Sequence, residues 1–181
     1  MTPLDSAWLT VALLVAAIVA SGWGWTRAGR LLWPPLAAIL LAGALAVAVH
    51  GRLGASEQAL HAMVATAAAV LAVAGGGPVT SWVFAWIDRH DTTGAHSMRD
   101  AGSVLRGGAW IGGLERTAIV VSLLAGWPEG VALALALKGL GRYPELRNQD
   151  NPGTAERFII GTFTSVLWAA GCAGVVLLLR A

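Results

Sequence analysis

Long runs of apolar residues, uninterrupted by charged side chains, dominate the first half of the chain. Residues 8–20 and 35–49 are such runs. A helix on the surface of a soluble protein carries polar residues along one face, whereas a segment of about 20 apolar residues is long enough to cross a bilayer. The pattern therefore predicts an all-α fold, a polytopic integral membrane protein with a single transmembrane domain over residues 1–181.

Proline, glycine and charged positions divide this domain into about six predicted transmembrane helices. We place the spans at about residues 7–23, 33–50, 57–74, 108–126, 129–143 and 156–179. Pro34 and Pro35 suit the start of the second span, because the N–H groups of a first helical turn have no partner within the helix. Trp127-Pro128-Glu129-Gly130 predicts a tight turn between the fourth and fifth spans.

The sequence Gly75-Gly76-Gly77-Pro78 predicts the end of the third span. The helical stretch that follows, about residues 79–90, has an apolar run of only about ten residues, which is too short to cross a bilayer alone. We predict a short interfacial helix there, with Trp82 and Trp86 at the level of the lipid headgroups. One long kinked helix through the glycines is the alternative.

Composition and charge support a membrane protein and set its orientation. Of the 181 residues, 56% are hydrophobic and 12% are charged, against about 25% charged in a typical soluble domain. The net charge of +2 is too small to indicate a nucleic acid partner. With six spans, most cations fall on one side of the membrane: Arg27, Arg30, Arg89, Arg99, Arg106, Lys138, Arg142, Arg147 and Arg157. Since cytoplasmic loops carry an excess of Lys and Arg, we predict that both termini are non-cytoplasmic.

Charged side chains occur within or at the ends of the last three spans. They are Glu115, Arg116, Lys138, Arg142, Glu156 and Arg157. A charge in hydrocarbon costs about 3 kcal/mol, so it usually pairs with another group or faces the protein interior. Cations outnumber anions in this set, and surplus Arg and Lys suit a phosphate, a carboxylate or a lipid headgroup. We therefore predict a ligand-binding site near the cytoplasmic face.

A purely structural role for these charges is the alternative. The long side chains of Arg142 and Arg157 can extend to the membrane interface. Glu115 cannot extend as far, and counting from the turn after the fourth span places it level with Lys138. A buried ion pair of Glu115 with Lys138 or Arg142 would lock the two helices together.

Small residues predict close helix packing in the same region. Gly161, Ser165 and Ala169 follow Arg157 at intervals of four along the last span, and Gly112 lies in the fourth span. Small residues at this spacing let neighbouring helices approach closely. We expect the last three spans to contact one another.

The sequence gives little support for a metal site or for nucleophilic catalysis. Asp88, His90, Asp91 and His96 invite a metal site, but their spacing matches no well-specified ligand pattern, and we expect a solvated loop. No nucleophile is accompanied by a nearby base. We expect no catalytic residue, no metal and no cofactor, and the question of enzyme activity stays open, leaning towards none.

Three segments carry a resemblance to a known group of proteins. They are Ile-Gly-Gly-Leu-Glu-Arg at 111–116, Lys-Gly-Leu-Gly-Arg-Tyr at 138–143, and Glu-Arg-Phe-Ile-Ile-Gly-Thr-Phe-Thr-Ser at 156–165. Over its C-terminal half the chain resembles a group of uncharacterised bacterial inner-membrane proteins. The resemblance implies a location in the cell inner membrane and no particular activity.

The function that these features favour is binding or transport of a small anionic or amphiphilic solute. Membrane lipids, an anionic lipid among them, are the expected partners. A structural subunit of a membrane complex, either a homo-oligomer or an assembly with a partner protein, is the second hypothesis. An enzyme acting on lipid headgroups is the third.

Overall fold

Helices make up all the regular secondary structure in the part of the chain that the structure describes. The computed structural model describes residues 2–51, 53–54, 56–90, 108–147 and 153–180. The helices are α1 (Pro3–Gly24), α2 (Trp33–His50), α3 (Gln58–His90), α4 (Gly108–Leu124), α5 (Glu129–Gly141), α6 (Tyr143–Arg147) and α7 (Gly153–Arg180). The predicted all-α class is confirmed.

Four of these helices are long and apolar enough to cross a membrane: α1, α2, α3 and α7. The other two predicted spans correspond to α4 and α5, which have 17 and 13 residues. At helical rise they are about 26 and 20 Å long, shorter than the ~30 Å hydrocarbon core of a bilayer. The fold is thus compatible with a membrane protein, and it contains four clear candidates for spans among the described residues.

The predicted break at Gly75–Pro78 is wrong, and so is a separate helix over residues 79–90. Helix α3 is unbroken through this stretch. It has 33 residues in all, a length of about 50 Å at helical rise. Pro78 has no N–H to donate to the carbonyl of Ala74, the group one helical turn earlier. The indole Nε1 of Trp25 donates to that carbonyl instead, at 3.2 Å. Proline persists inside membrane helices where neighbouring groups satisfy the freed backbone in this way.

The core lies between α1, α2, α3 and α7. Helix α1 packs on α2 and α3, and α7 packs on α2, α3 and α4. Leu14, Ala17, Leu71 and Val175 are fully buried there. Helix α5 is peripheral, because its principal neighbour is α4. The small residues on α1, α2 and α3 allow this close packing without large side chains between the backbones.

Tryptophans gather at the end of the bundle where α1 and α3 end and α4 begins. Trp25, Trp86 and Trp110 are exposed there, Trp110 to 84%. The indole of Trp82 donates to the carbonyl of Leu31 at 3.0 Å, which ties the last turns of α3 to the link between α1 and α2. Exposed tryptophans of this kind are typical of the membrane–water interface.

Candidate functional site

A cavity of about 300 Å³ lies between the C-terminal half of α3, the first half of α4, the end of α5 and the first half of α7. Its wall includes five of the six charged residues predicted for the site: Glu115, Arg116, Lys138, Arg142 and Arg157. Aromatic side chains complete the wall, with Phe84 from α3 and Phe158 from α7 among them. The fold thus gathers charges from three helices into one concave site.

The sixth predicted residue, Glu156, does not line this cavity. Its side chain is exposed in the first turn of α7. Successive residues of a helix point about 100° apart, so Arg157 faces the cavity while Glu156 points away from it. The expectation that both residues of this pair join one site is therefore corrected to Arg157 alone.

Glu115 and Lys138 join α4 to α5. The Nζ of Lys138 donates to Oε2 of Glu115, and the two side chains are 15% and 3% exposed, respectively. Lys138 also lies over the ring of Phe158, 5.5 Å from its centroid. The second carboxylate oxygen of Glu115, Oε1, is buried with no hydrogen-bond partner among the described residues.

Arg116 is 5% exposed and points towards α3 and α7. Its Nη2 donates to the carbonyl of Val73 at 2.9 Å, and its Nη1 donates to Oγ of Ser165 at 3.4 Å. Among the described residues no carboxylate lies within ion-pair distance of this guanidinium, and its Nε is buried without a hydrogen-bond partner. A guanidinium has more N–H donors than these two contacts use, so Arg116 keeps capacity for an acceptor.

Three glycines of α3, Gly75–Gly77, make room for side chains that dock on this helix; we call them the glycine segment. A Cβ on Gly75 would lie 2.7 Å from Cζ2 of Trp168, and one on Gly76 would lie 2.5 Å from Cδ of Arg116. A Cβ on Gly77 would lie 2.9 Å from Cζ2 of Trp25. Each glycine therefore admits a side chain from a different part of the fold.

Each of these docked side chains also donates to a carbonyl of α3 just before the glycine segment. The indole Nε1 of Trp168 donates to the carbonyl of Leu71 at 3.1 Å. Arg116 donates to the carbonyl of Val73, and Trp25 donates to the carbonyl of Ala74. The sequence pattern predicts a helix break here, with one long kinked helix as the alternative, and in both cases it misses the role of this stretch as a docking surface. The run of glycines was the available signal, because small residues in membrane helices mark close approach.

Arg157 fixes the beginning of α7 against the end of α3. Its Nη1 lies 3.7 Å from Oδ1 of Asp88, and its guanidinium lies 4.2 Å from the centroid of the Phe84 ring. One turn further, a Cβ on Gly161 would lie 2.9 Å from Cζ of Phe84. The cation over an aromatic ring and the close approach at the glycine both hold the cavity wall in place.

The predicted packing residues contact different helices. Gly161 lies against Phe84 of α3, and Ser165 accepts a hydrogen bond from Arg116 of α4. Ser165 and Ala169 are buried. Gly112 serves Arg116 instead, since a Cβ there would lie 3.0 Å from Nη1 of its guanidinium. Helix α4 contacts both α5 and α7 as expected, but α5 and α7 pack little against each other.

The cavity ends at Arg116. Its lining extends from Gly108 to Arg116 along α4 and from Arg157 to Ser165 along α7, about 12 Å in each case at helical rise. Beyond Arg116 the helices close on fully buried side chains such as Ile119 and Cys172. The site is therefore a blind cavity with a cation at its inner end.

The described residues hold no group of three potential metal-binding side chains. Asp91 and His96, two of the residues weighed for a metal site, lie outside the described part of the chain. The charged groups on the described cavity wall are four cations and the carboxylate of Glu115.

Comparisons of the chain with protein-family models, with curated proteins and with solved structures found no match. The resemblance of its C-terminal half to bacterial inner-membrane proteins stays a prediction. Fold and site together define a class only: an all-helical protein with several helices able to span a membrane and with a blind, cation-lined cavity among them.

Proposed function

We propose that this chain is an integral membrane protein that binds, and in its working cycle transports, a small anionic or amphiphilic molecule in the cation-lined cavity. The observation that carries the proposal is Arg116, a buried guanidinium with no carboxylate within ion-pair distance in the described structure. A buried charge without a direct ion pair is costly. An anion bound in the cavity would remove this cost and would take up the unused N–H donors.

The balance of charge on the described cavity wall supports an anionic ligand. Four cations and one carboxylate contribute to that wall. Lys138 is already paired with Glu115 and Arg157 lies beside Asp88, so Arg116 is the cation that an anionic ligand would neutralise. Guanidinium groups bind phosphate and carboxylate through paired hydrogen bonds, so the arrangement favours a ligand of that kind over a cation or a neutral molecule.

The placement in the membrane is part of the proposal. We place the protein in the inner membrane of a bacterium with six spans, α4 and α5 crossing as a pair, and both termini outside the cytoplasm. The cytoplasmic side then holds Arg27 and Arg30, in the link between α1 and α2, and Arg89, in the last turn of α3. The cavity begins at the same end of the bundle, and the pair Glu115–Lys138 lies within the membrane.

Native mass spectrometry tests the proposal. Protein extracted in a mild detergent is compared with Arg116→Gln and with Arg180→Gln, which removes an exposed cation at the far end of α7. We expect a bound small anion or lipid on the parent and on the Arg180 variant, and its loss from the Arg116 variant. A thermal unfolding curve for each protein shows that the variants are folded.

A structural subunit of a larger assembly is the second candidate. It is favoured by the fact that Arg116 already joins α4 to the backbone of α3 and to Ser165 of α7. In that case the parent protein carries no small molecule, and Arg116→Gln lowers the unfolding temperature without changing the mass spectrum. The same result would contradict a binding function.

A further inference from the structure

We infer that the ligand is a phosphate ester that also bears a hydroxyl group, and that its polar head enters the blind cavity while any apolar part stays outside. This inference rests on the proposed function and narrows its ligand. It follows from three properties of the cavity: its volume, its unused donors and its unused acceptors.

The volume limits what can enter. About 300 Å³ is at the lower end of the volumes of small-molecule sites, which are about 300–1,000 Å³. That is enough for a phosphate group with a small polyol, and too little for the acyl chains of a lipid. Because the helices close beyond Arg116, the rest of a larger ligand has no path through the protein and must remain at the open end.

The donors at the inner end suit a phosphate. Arg116 has N–H groups left after its contacts with Val73 and Ser165. Arg157, which lies beside Asp88 and over the ring of Phe84, lines the cavity nearer to the start of α7 than Ser165 does. A tetrahedral phosphate presents several oxygens in different directions, so it can accept from more than one N–H of Arg116 while its other oxygens face the open end, whereas a planar carboxylate presents only two oxygens.

Two buried oxygen atoms without hydrogen-bond partners favour a ligand that also donates a hydrogen bond. Oε1 of Glu115 and Oγ1 of Thr162 are both buried without a hydrogen-bond partner among the described residues, and both residues line the cavity. The Glu115 side chain is only 3% exposed. Leaving a buried acceptor unpaired costs about 1–3 kcal/mol, and a hydroxyl beside the phosphate would satisfy it.

The headgroup of phosphatidylglycerol and free glycerol phosphate share this chemistry. A titration of the purified protein in a neutral maltoside detergent separates them. The ligands are glycerol 3-phosphate, dihexanoyl phosphatidylglycerol, dihexanoyl phosphatidylcholine and methyl phosphate, and the dissociation constant is measured for each by calorimetry. We expect the two hydroxyl-bearing ligands to bind roughly tenfold or more tightly than the other two, the scale of one hydrogen bond to a buried acceptor.

The two sources predict different orders. A lipid ligand requires phosphatidylglycerol to bind more tightly than glycerol 3-phosphate, and a soluble ligand requires the two to bind equally or the reverse. Either order supports the shared chemistry. Binding of neither hydroxyl-bearing ligand, or equal binding of all four, overturns it. If native mass spectrometry still shows a different bound anion, the proposed function survives this failure; if it shows none, both fail.

A matched pair of variants locates the binding without removing any charge. Ser81→Phe places a large side chain on an exposed position that lines the cavity. Thr66→Phe makes the same change on an exposed position of α3 outside the cavity. We expect the first to lose binding at least roughly tenfold and the second to keep the affinity of the parent. Equal affinities would show that the ligand binds elsewhere and would overturn the inference.

Discussion

Glu115 and Arg116 are adjacent in the sequence and serve different helices. Glu115 turns to Lys138 of α5, and Arg116 turns to the carbonyl of Val73 in α3. The angle of about 100° between successive helical residues makes this division unavoidable. Two neighbouring charges on α4 thus connect this helix to partners on two sides.

The ion pair between Glu115 and Lys138 can be tested by a double-mutant cycle. Removing one member of a buried pair typically costs about 3–5 kcal/mol, whereas replacing both members by apolar groups is often nearly neutral. We expect Glu115→Gln and Lys138→Met each to destabilise the protein in detergent. The double variant should recover part of the loss, as measured by the free energy of unfolding.

Glu129→Gln, an exposed carboxylate at the start of α5, is the control for this cycle and should leave stability unchanged. Losses that simply add in the double variant would show that Glu115 and Lys138 act independently, and that their contact contributes nothing to the fold.

The sequence predicts the partner of Glu115 better than that of Arg116. The tight turn at Trp127–Gly130 makes α4 and α5 antiparallel, so counting residues from it places Glu115 and Lys138 at similar depth. Arg116 binds a backbone carbonyl, which every residue possesses, and nothing in the sequence marks the carbonyl of Val73 as the one that accepts. Glu156 illustrates the opposite error, because residue type alone does not tell which way a side chain points.

At the scale of a helix, α3 shows how proline and glycine are tolerated in a long element. The three donors that dock beside the glycine segment come from distant parts of the chain: Trp25, Arg116 and Trp168 lie 49, 43 and 97 residues from their acceptors. A prediction from local sequence ends the helix at the glycines because it takes no account of these distant donors. Contacts with distant side chains stabilise the continuous helix.

The role of Trp25 leads to a rescue experiment. Trp25→Phe keeps an aromatic ring but removes the donor to the carbonyl of Ala74, and should lower the free energy of unfolding by about 1 kcal/mol, the net value of a typical hydrogen bond. Pro78→Ala restores a backbone N–H one turn after Ala74. The double variant should therefore be more stable than Trp25→Phe alone, as measured by thermal or denaturant unfolding in detergent.

Trp23→Phe is the matched control for the rescue, since no side-chain hydrogen bond of its indole is found among the described residues. Combining Trp23→Phe with Pro78→Ala should give only the sum of the two single effects. If Pro78→Ala raises the free energy of unfolding of both tryptophan variants equally, the carbonyl of Ala74 is not the group to which Trp25 donates.

For the whole molecule, two topologies differ in how α4 and α5 lie in the bilayer. Six full spans and a bundle of four spans with a partly inserted α4–α5 hairpin place the termini on the same side. Only the position of the turn at Trp127–Gly130 differs: it reaches the exterior if the pair crosses, and it stays within the membrane if the pair turns back.

A single introduced cysteine distinguishes the two topologies. The native Cys172 is fully buried and should not react with a membrane-impermeant maleimide. We expect Glu129→Cys to be labelled from outside in intact cells, because the proposed six spans place this turn there. Ser56→Cys should also be labelled from outside, and Ala28→Cys only after the membrane is permeabilised. Protection of Glu129→Cys under both conditions would contradict six spans.

Much of the architecture follows from the sequence because the apolar runs are long. The predicted bounds of the second span, residues 33–50, coincide with those of α2, and the first span differs from α1 by a few residues at its start. The final arrangement is harder to predict. Helix α7 packs most closely with α3. Its small residues predict close packing but do not specify which helix packs against them.

The order in which the helices are made suits the one carbonyl that α3 cannot satisfy by itself. The carbonyls of Leu71 and Val73 have helical donors in the N–H groups of Gly75 and Gly77, so Trp168 and Arg116 add second hydrogen bonds when these later parts of the chain arrive. Ala74 lacks its helical donor because of Pro78, and an unsatisfied carbonyl is costly in lipid. Trp25, the side chain that serves Ala74, is made before α3. During synthesis α3 therefore enters the membrane with the donor for its proline site already in place.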